Sequence, residues 1–494
     1  MRLGVGVLMA VAGFGQPLEN WRGAEGESRV APKMACAELR GQTGYEFSVI
    51  TAVMVDDYCR VMGQILPEVR FEVNLPGSWN RRLYMFGNGG FAGENLDAAN
   101  RAGQRTRALK HGFAVTSTNT GHDAATEPLA TFAVNRQKLI DYSFRSLHVT
   151  AVTAKKLAEV YYGSRPARSY FNGCSTGGRQ ALILAQRFPE DFDGILVGAP
   201  VLDFTGTMLS YASTAKALAA APLTEAKVKL LAGRVYEACD AKDGLKDGLI
   251  DDPRLCAYSP AKDLPRCAGA DGPDCFTDAQ SKALETLYGD VHGPNGRLFP
   301  GWPLGVEPAW APWIVRDGQP TISVTFAQSF FKYMAFPDVN ANFELKDLSL
   351  EKDLPRMAGI RQMLDAVDPD LSAFRARGGK MIMYYGWADS ALNPLMGVEY
   401  YEGVLKKMGA GTRDFFRLFM VPGMFHCAGG VGTDRFDAFT PLAEWTEGKQ
   451  APALIVASQA KPARTRPLCV YPEVAKYKGS GSVDEAGSFV CAQR

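Results

Sequence analysis

Gly173-Cys174-Ser175-Thr176-Gly177 is the stretch that decides the fold class of this 494-residue chain. It fits the pattern G-x-S-x-G, in which a serine is exposed on a sharp strand-to-helix turn. A pattern this short is weak by itself. A second pair, His426-Cys427, strengthens it, because a disulfide bond between Cys174 and Cys427 would hold His426 beside Ser175. The alternative is a structural disulfide that merely flanks a Ser and a His.

The acid of a Ser–His–acid triad is expected between Ser175 and His426, which is the chain order of α/β-hydrolases. The apolar run at 380–385 predicts a buried strand, and Asp389 follows it after Gly386-Trp387-Ala388. A second apolar run, 415–421, precedes His426. Open α/β sheets carry their sites on loops that follow strands. Asp389 is therefore the candidate acid, and a solvated loop carboxylate is the alternative.

Strand and helix patterns alternate along the chain. Strands are predicted at 69–75, 82–86, 113–118 and 194–198, and a helix at 177–188. This alternation predicts a mostly parallel sheet with helices on both faces. The stretch between Ser175 and Asp389 is far longer than a strand-helix-strand unit needs. We therefore predict an α/β-hydrolase fold with a catalytic domain at 30–203 and 371–494 and an inserted lid domain at 204–370.

Four motifs carry a resemblance to a known family: GCSTGG (173–178), GWAD (386–389), GMFHC (423–427) and the glycine-rich stretch 87–93. Together they resemble the tannase and feruloyl esterase family, which includes a hydrolase of mono(2-hydroxyethyl) terephthalate. The likeness runs from about Cys36 to Cys491. It implies that Ser175 is the nucleophile, His426 the base and Asp389 the acid that orients the base.

The ten cysteines are typical of a protein from an oxidising compartment. Local spacing and the resemblance imply the pairs Cys36–Cys59, Cys174–Cys427, Cys239–Cys256, Cys267–Cys275 and Cys469–Cys491. A zinc site is disfavoured, because no C-x-x-C pair occurs and no His clusters with the cysteines. Residues 1–15 predict a signal peptide, with Ala10-Val11-Ala12 as a cleavage site, and hence a secreted or periplasmic protein. A misassigned start codon or a buried N-terminal strand is the alternative.

Within the insertion, Asp240, Asp243 and Asp247 lie on a short loop bent by glycines. Such hard oxygen ligands suit Ca²⁺, although the spacing is not that of an EF-hand. The resemblance implies a structural calcium held by these aspartates and by the backbone carbonyls of Leu245 and Leu249. The alternative is a series of Asp-Gly turns on the surface.

An ester hydrolase also needs N–H donors for the oxyanion. The residue after the nucleophile, Thr176, normally supplies one of them. The second is expected from the loop that follows the strand at 82–86, where glycines allow close approach to a substrate. We favour Gly90, with Gly89 as the alternative. His122 is considered as a residue that flanks the site or as a capped structural histidine.

Substrate recognition is expected from aromatic residues of the insertion, some lining a flat slot and the others forming the insertion's own core. These residues are Trp302, Trp310, Trp313, Phe326, Phe330, Phe331, Tyr333 and Phe336. A terephthalate monoester would also need a cation for its second carboxylate, and Arg316 and Lys332 are candidates by location alone.

The composition excludes two classes of partner. A net charge of +1 gives no field that would attract nucleic acid, and no apolar run is long enough to span a membrane. The sequence therefore predicts a serine esterase that acts on small aromatic esters. The alternatives are an acyl hydrolase of aliphatic esters or amides, and a non-catalytic, calcium-stabilised binding protein on a hydrolase scaffold.

Overall fold

The computed structural model describes residues 18–23 and 27–493. The predicted signal peptide, 1–15, lies outside the described residues. The strands of the described chain are β1 (Phe47–Val55), β2 (Tyr58–Ile65), β3 (Val69–Pro76), β4 (Arg82–Phe86), β5 (Ala114–Thr118), β6 (Arg168–Cys174), β7 (Gly194–Gly198), β8 (Val291–Gly293), β9 (Gly296–Phe299), β10 (Lys380–Gly386), β11 (Phe416–Val421), β12 (Leu454–Gln459), β13 (Arg464–Cys469), β14 (Val474–Tyr477) and β15 (Phe489–Ala492).

The α-helices of the described chain are α1 (Ala99–Lys110), α2 (Arg136–Ile140), α3 (Ser146–Tyr162), α4 (Thr176–Arg187), α5 (Phe204–Ala220), α6 (Glu225–Cys239), α7 (Pro260–Asp263), α8 (Asp278–Tyr288), α9 (Trp310–Trp313), α10 (Ile322–Tyr333), α11 (Leu350–Arg356), α12 (Ala358–Leu364), α13 (Ser372–Ala376), α14 (Pro394–Met408) and α15 (Phe439–Thr446). None of them is long and apolar enough to cross a bilayer.

Nine strands form one sheet in the order β1-β2-β3-β5-β4-β6-β7-β10-β11. The pairs from β1 to β5 are antiparallel, and the pairs from β5 to β11 along this order are parallel. Every strand predicted from the sequence occurs within one residue of its predicted bounds. The sheet is therefore mostly parallel, as predicted, and the β1–β2 hairpin extends it at one edge.

The parallel strands are buried on both faces, which is why β7 and most of β10 appear in the sequence as continuous apolar runs. Every residue of β4, β5 and β7 is buried. Helix α4 packs on β6 and β7, α15 packs on β7 and β10, and α3 packs on β3 and β5. Because β6, β10 and β11 run in the same direction, the residues that follow them meet at one edge of the sheet.

The residues between β7 and β10 contribute no strand to the nine-stranded sheet in the described chain. They form helices α5 to α13 and the small β8–β9 hairpin. The two ends of the predicted insertion are tied together, since the Asp365 carboxylate accepts the Thr205 N–H at 2.9 Å and the Thr205 hydroxyl at 2.8 Å. The apolar residues of this segment share one continuous core with those of the sheet. The insertion is thus packed onto the sheet.

A glycine in the first turn of α4 lets this helix approach β7, since a Cβ on Gly178 would lie 2.3 Å from the Gly198 carbonyl oxygen. Gly178→Ala should therefore destabilise the protein by about 1–3 kcal/mol, as overpacking does. Gly103 in α1 is the matched control, because a Cβ there would meet nothing within 4 Å. Gly103→Ala should stabilise by about 0.5–1 kcal/mol. Urea unfolding measures both effects, and a Gly178→Ala variant as stable as its parent would contradict this packing.

Candidate active site

Ser175 lies on the turn between β6 and α4 with φ at 64°. A positive φ is uncommon for a residue with a side chain, and it is typical of the nucleophile elbow. The backbone around it is close-packed, because a Cβ on Gly173 would lie 2.4 Å from the Gly177 carbonyl oxygen. The Ser175 N–H donates to Gly198 O at 3.0 Å, which fixes the turn to the end of β7.

Asp389 lies on the loop after β10 and is fully buried. One carboxylate oxygen accepts the N–H groups of Ala391 and Leu392, each at 2.9 Å. The other oxygen is 2.8 Å from His426 Nδ1. Because an ionised carboxylate only accepts hydrogen bonds, Nδ1 carries the proton and Nε2 is the basic nitrogen. The loop geometry thus fixes both the orientation and the tautomer of His426.

The disulfide between Cys174 and Cys427 joins the serine turn to the histidine loop, with the two Cα atoms 6.0 Å apart. The histidine loop also packs directly on the end of β10, where Ala388 N–H donates to Met424 O at 3.1 Å. All five disulfide bonds that the sequence analysis predicted are present in the structure. Ser175 and His426 consequently face the same cleft.

This cleft has mostly apolar walls. Its lining consists of Gly90, Phe91, Ser175, Thr176, Val201, Phe204, Met208, Tyr211, Trp313, Phe326, Leu392 and His426. Trp313 lies edge-to-face against His426 with ring centroids 5.8 Å apart, and Phe326 packs on Phe91 at 4.8 Å. The insertion thus supplies one wall of the cleft, through α5, α9 and α10.

Of the aromatic residues predicted for recognition, Trp313 and Phe326 line the cleft. The core instead contains Trp302, Trp310, Phe330 and Phe331. A separate groove is lined by Tyr333 and Phe336. Three further lining residues, Phe204, Met208 and Tyr211, were not predicted from the sequence. Their spacing of four and three residues along α5 places them on one helical face, but the start of this helix is buried on most sides, so the pattern does not single out that face.

The structure distinguishes between Gly89 and Gly90, the two residues of the glycine-rich loop after β4 that were considered as oxyanion donors. The Gly89 N–H donates to the Glu94 carboxylate at 2.7 Å, so it is already engaged. The Gly90 N–H has no acceptor among the described residues, and Gly90 lines the cleft beside Ser175. The Thr176 N–H is at the first position of α4, where the helix offers it no partner. This geometry favours Gly90 over Gly89.

Two hydrogen bonds to the Gly90 carbonyl hold the peptide that follows the Gly90 N–H, between Gly90 and Phe91. This oxygen accepts the Thr176 hydroxyl at 2.5 Å and the Tyr142 hydroxyl at 3.1 Å. On the other side of the loop, Glu94 accepts the Asn88 side-chain amide and pairs with buried Arg101 at 3.0 Å. These supporting contacts were not predicted from the sequence, because the residues that make them are scattered along the chain.

His122 does not line the cleft. It is buried and stacked on Phe132 with ring centroids 3.8 Å apart, and its Nε2 lies close behind Gly93. Burial lowers the pKa of His122 to about 4, so the ring is neutral at pH 7. His122 is therefore a packing residue beneath the glycine-rich loop.

The predicted calcium loop contains the right donor chemistry, but its carboxylates do not converge. Asp240 accepts the N–H groups of Asp247 and Gly248, both at 3.1 Å, and Asp247 is bound to Arg466 of β13. Among the described residues, the one set of three such ligands within 4.8 Å of one another is His148, Glu190 and Asp191. That set lies at the amino ends of the strands, opposite the cleft. Calcium binding at the loop would require Asp247 to turn away from Arg466.

Neither cation proposed for a terephthalate carboxylate lines the cleft. Arg316 is exposed in another groove, between α5 and α10. Lys332 is half-buried near the end of α10 and lines neither this groove nor the cleft.

The sheet, the serine turn and the inserted helices define an α/β-hydrolase fold. A family model for tannase and feruloyl esterase matches residues 51–492. The chain belongs to this family, and it is a carboxylic ester hydrolase. This membership decides against the non-catalytic binding protein.

Curated relatives and a solved structure agree with this assignment. The chain is 33% identical to the mono(2-hydroxyethyl) terephthalate hydrolase of Piscinibacter sakaiensis, over 90% of this chain and 86% of that protein. It is 30% identical to a probable feruloyl esterase B-2 of Aspergillus terreus, over 88% of this chain and 86% of that protein. The crystal structure of feruloyl esterase B from Aspergillus oryzae is similar with a TM-score of 0.81 and 26% identity, covering 92% of this chain and 99% of that chain.

The disulfide beside the cleft should be needed for rate more than for folding. Removing it in the double variant Cys174→Ala, Cys427→Ala should loosen the approach of His426 to Ser175, and misplacement by about 1 Å costs on the order of a hundredfold in rate. We expect kcat to fall far more than KM rises. The matched control is Cys469→Ala, Cys491→Ala, which removes a bond remote from the cleft. A folded double variant, checked by circular dichroism, that keeps most of the parent's kcat would contradict a positioning role.

Proposed function

We propose that this chain is a serine esterase that hydrolyses esters of aromatic carboxylic acids through an acyl-enzyme. The strongest support for this proposal is the contact between Asp389 and His426. A buried carboxylate, Asp389, binds His426 Nδ1 at 2.8 Å, at a cleft that Ser175 also lines. This arrangement supports a triad in which His426 Nε2 is the base for the Ser175 hydroxyl.

In the proposed reaction, Ser175 Oγ attacks the ester carbonyl carbon while His426 Nε2 accepts the hydroxyl proton. Asp389 stabilises the imidazolium, and the N–H groups of Thr176 and Gly90 donate to the oxyanion. His426 then gives its proton to the departing alcohol, leaving the acyl group on Ser175. Water, deprotonated by the same histidine, hydrolyses the acyl-enzyme and releases the carboxylic acid.

The walls of the cleft support an aromatic acyl group. Phe91, Phe204, Trp313 and Phe326 surround the space in front of Ser175, and aromatic rings favour offset or edge-to-face packing against one another. Aliphatic esters and amides remain the alternative substrates. They lack a ring that would use these edge-to-face contacts, so they should react with lower kcat/KM.

A serine-directed fluorophosphonate tests the nucleophile. The parent should be labelled at Ser175, and Ser175→Ala should lose both the label and activity, by on the order of 10⁶-fold in kcat. Asp389→Asn should lose about 10⁴-fold, because the amide favours the wrong His426 tautomer. Ser372→Ala removes an exposed serine and is the control that keeps full activity. Labelling of another serine, or an active Ser175→Ala variant, would refute the mechanism.

We also propose that the loop at Asp240, Asp243 and Asp247 binds a structural Ca²⁺. Burial raises the pKa of Asp243 and of Asp247, and repulsion among the three carboxylates adds to this effect. A divalent cation would neutralise that repulsion. The disulfide Cys239–Cys256 brackets the loop, which supports a rigid site. The ion would act on stability alone, since its ligands line no part of the cleft.

Chelation tests the calcium site. A ligand that binds the native state alone stabilises it, by about 2.7 kcal/mol at a concentration of one hundred times Kd. A chelator should therefore lower the Tm of the parent, and added Ca²⁺ should restore it. Asp243→Ala should melt at the same lower temperature with and without the chelator. A parent whose Tm does not respond would show that the Asp247–Arg466 pair holds the loop without a metal.

We further propose that the protein is exported. All ten cysteines form disulfide bonds, and such bonds persist in oxidising compartments. The predicted signal peptide at 1–15 supports the same conclusion.

A further inference from the structure

The cleft in front of Ser175 offers an acyl group almost no polar partner beyond the reacting groups themselves. Apart from Ser175, Thr176 and His426, its lining consists of apolar residues, one glycine and one tyrosine. The hydroxyl of that tyrosine, Tyr211, already donates to the Ala391 carbonyl. Burial raises the pKa of Tyr211, so its hydroxyl stays neutral. Apart from the reacting groups, the lining of the cleft is therefore an apolar environment.

No Lys or Arg lines this cleft in the part of the chain that the structure describes. Arg179 comes near, because its guanidinium carbon lies 5.7 Å from the ring centroid of Phe204. Arg179 is nevertheless fully buried behind that ring. Its N–H groups donate to three backbone carbonyls, those of Tyr142, Ser143 and Leu364. It cannot reach a ligand without the loss of these bonds.

We propose that the cleft selects aromatic acyl groups that carry no charge, and that it rejects the monoesters of aromatic dicarboxylic acids. This inference rests on the proposed serine esterase function and adds its substrate class. A second carboxylate on the ring would leave water for apolar walls that provide no counter-charge, and the free N–H groups of Gly90 and Thr176 would already be used by the oxyanion. Such burial of an unpaired charge is strongly unfavourable. Neutral benzoyl and cinnamoyl groups would incur no such cost.

Dimethyl terephthalate and monomethyl terephthalate form a matched pair for the test. They share the ring and the scissile methyl ester, and they differ in one charge. Once each kcat/KM is divided by the rate of hydrolysis by hydroxide, the diester should be preferred by at least about a hundredfold. In a single reaction that starts from the diester, the monoester should accumulate, with little terephthalate formed.

A cation introduced into the wall provides a second readout. Met208 lines the cleft from α5, and Met208→Lys replaces it with an unbranched side chain that carries an ammonium group. This variant should raise the ratio of monoester to diester hydrolysis at least about tenfold, since the new charge pairs with the carboxylate. Met208→Gln, which is polar but neutral, should not raise the ratio.

The outcomes separate this inference from the function on which it rests. Equal corrected rates for the two esters, both abolished by Ser175→Ala, would overturn the selection against charge and leave the serine esterase intact. Hydrolysis of neither ester, together with none of methyl cinnamate, would overturn the proposed function and this inference with it. Accumulation of the monoester by the parent, together with its hydrolysis by Met208→Lys, would support both this inference and the proposed function.

Discussion

The bond between Cys174 and Cys427 is the constraint on which the site depends. It joins two loops whose strands, β6 and β11, are not paired with each other in the sheet. Cys174 ends β6 and Cys427 lies in the loop after β11, and β7 and β10 separate these two strands in the sheet. Each cysteine lies directly beside a residue of the proposed triad, Ser175 or His426, in the chain. The separation of the two loops is therefore fixed covalently, while their directions are set by the strands they follow.

Asp389 provides a second constraint from the loop after β10, a strand that lies between β6 and β11 in the sheet. Its loop follows β10, and its carboxylate is held by two backbone N–H groups before it binds His426. The backbone contact between Ala388 and Met424 locks the acid loop against the histidine loop. Three loops at one edge of the parallel sheet, those after β6, β10 and β11, thus position Ser175, Asp389 and His426. Since each loop is anchored to a buried strand, the geometry requires little ordering when a substrate binds.

Much of this was predictable from the sequence, because buried parallel strands and the residues after them have a strong local pattern. The run at 194–198 carries no polar side chain, the run at 380–385 carries none after Lys380, and Asp389 follows the second run after three residues. The β1–β2 hairpin was missed, since a register shift near Val49 breaks the alternation of β1. The wall from α5 was also missed as a substrate surface. That helix is buried on most sides near its start, so its apolar pattern does not show which face meets the cleft.

The contacts that support the glycine-rich loop could not be predicted for a different reason. Glu94 and Arg101 are a carboxylate and a guanidinium in a polar stretch of sequence, where most such groups are solvated. Only the fold shows that Glu94 engages the Gly89 N–H and leaves that of Gly90 free. The preference for Gly90 over Gly89 as the proposed oxyanion donor is therefore a tertiary property, because it depends on the contact between Gly89 and Glu94.

The distribution of positive charge in the site follows from the same architecture. Two positive features lie behind the serine turn: the amino end of α4 and, one turn further on, the buried guanidinium of Arg179. Among the described residues, no carboxylate lies within ion-pair distance of Arg179. Both raise the electrostatic potential where an oxyanion would form. The walls supplied by the insertion carry no such charge. In the proposed reaction, the sheet edge would thus stabilise the charge that develops at the carbonyl, while the insertion would surround the remainder of the acyl group with uncharged surface.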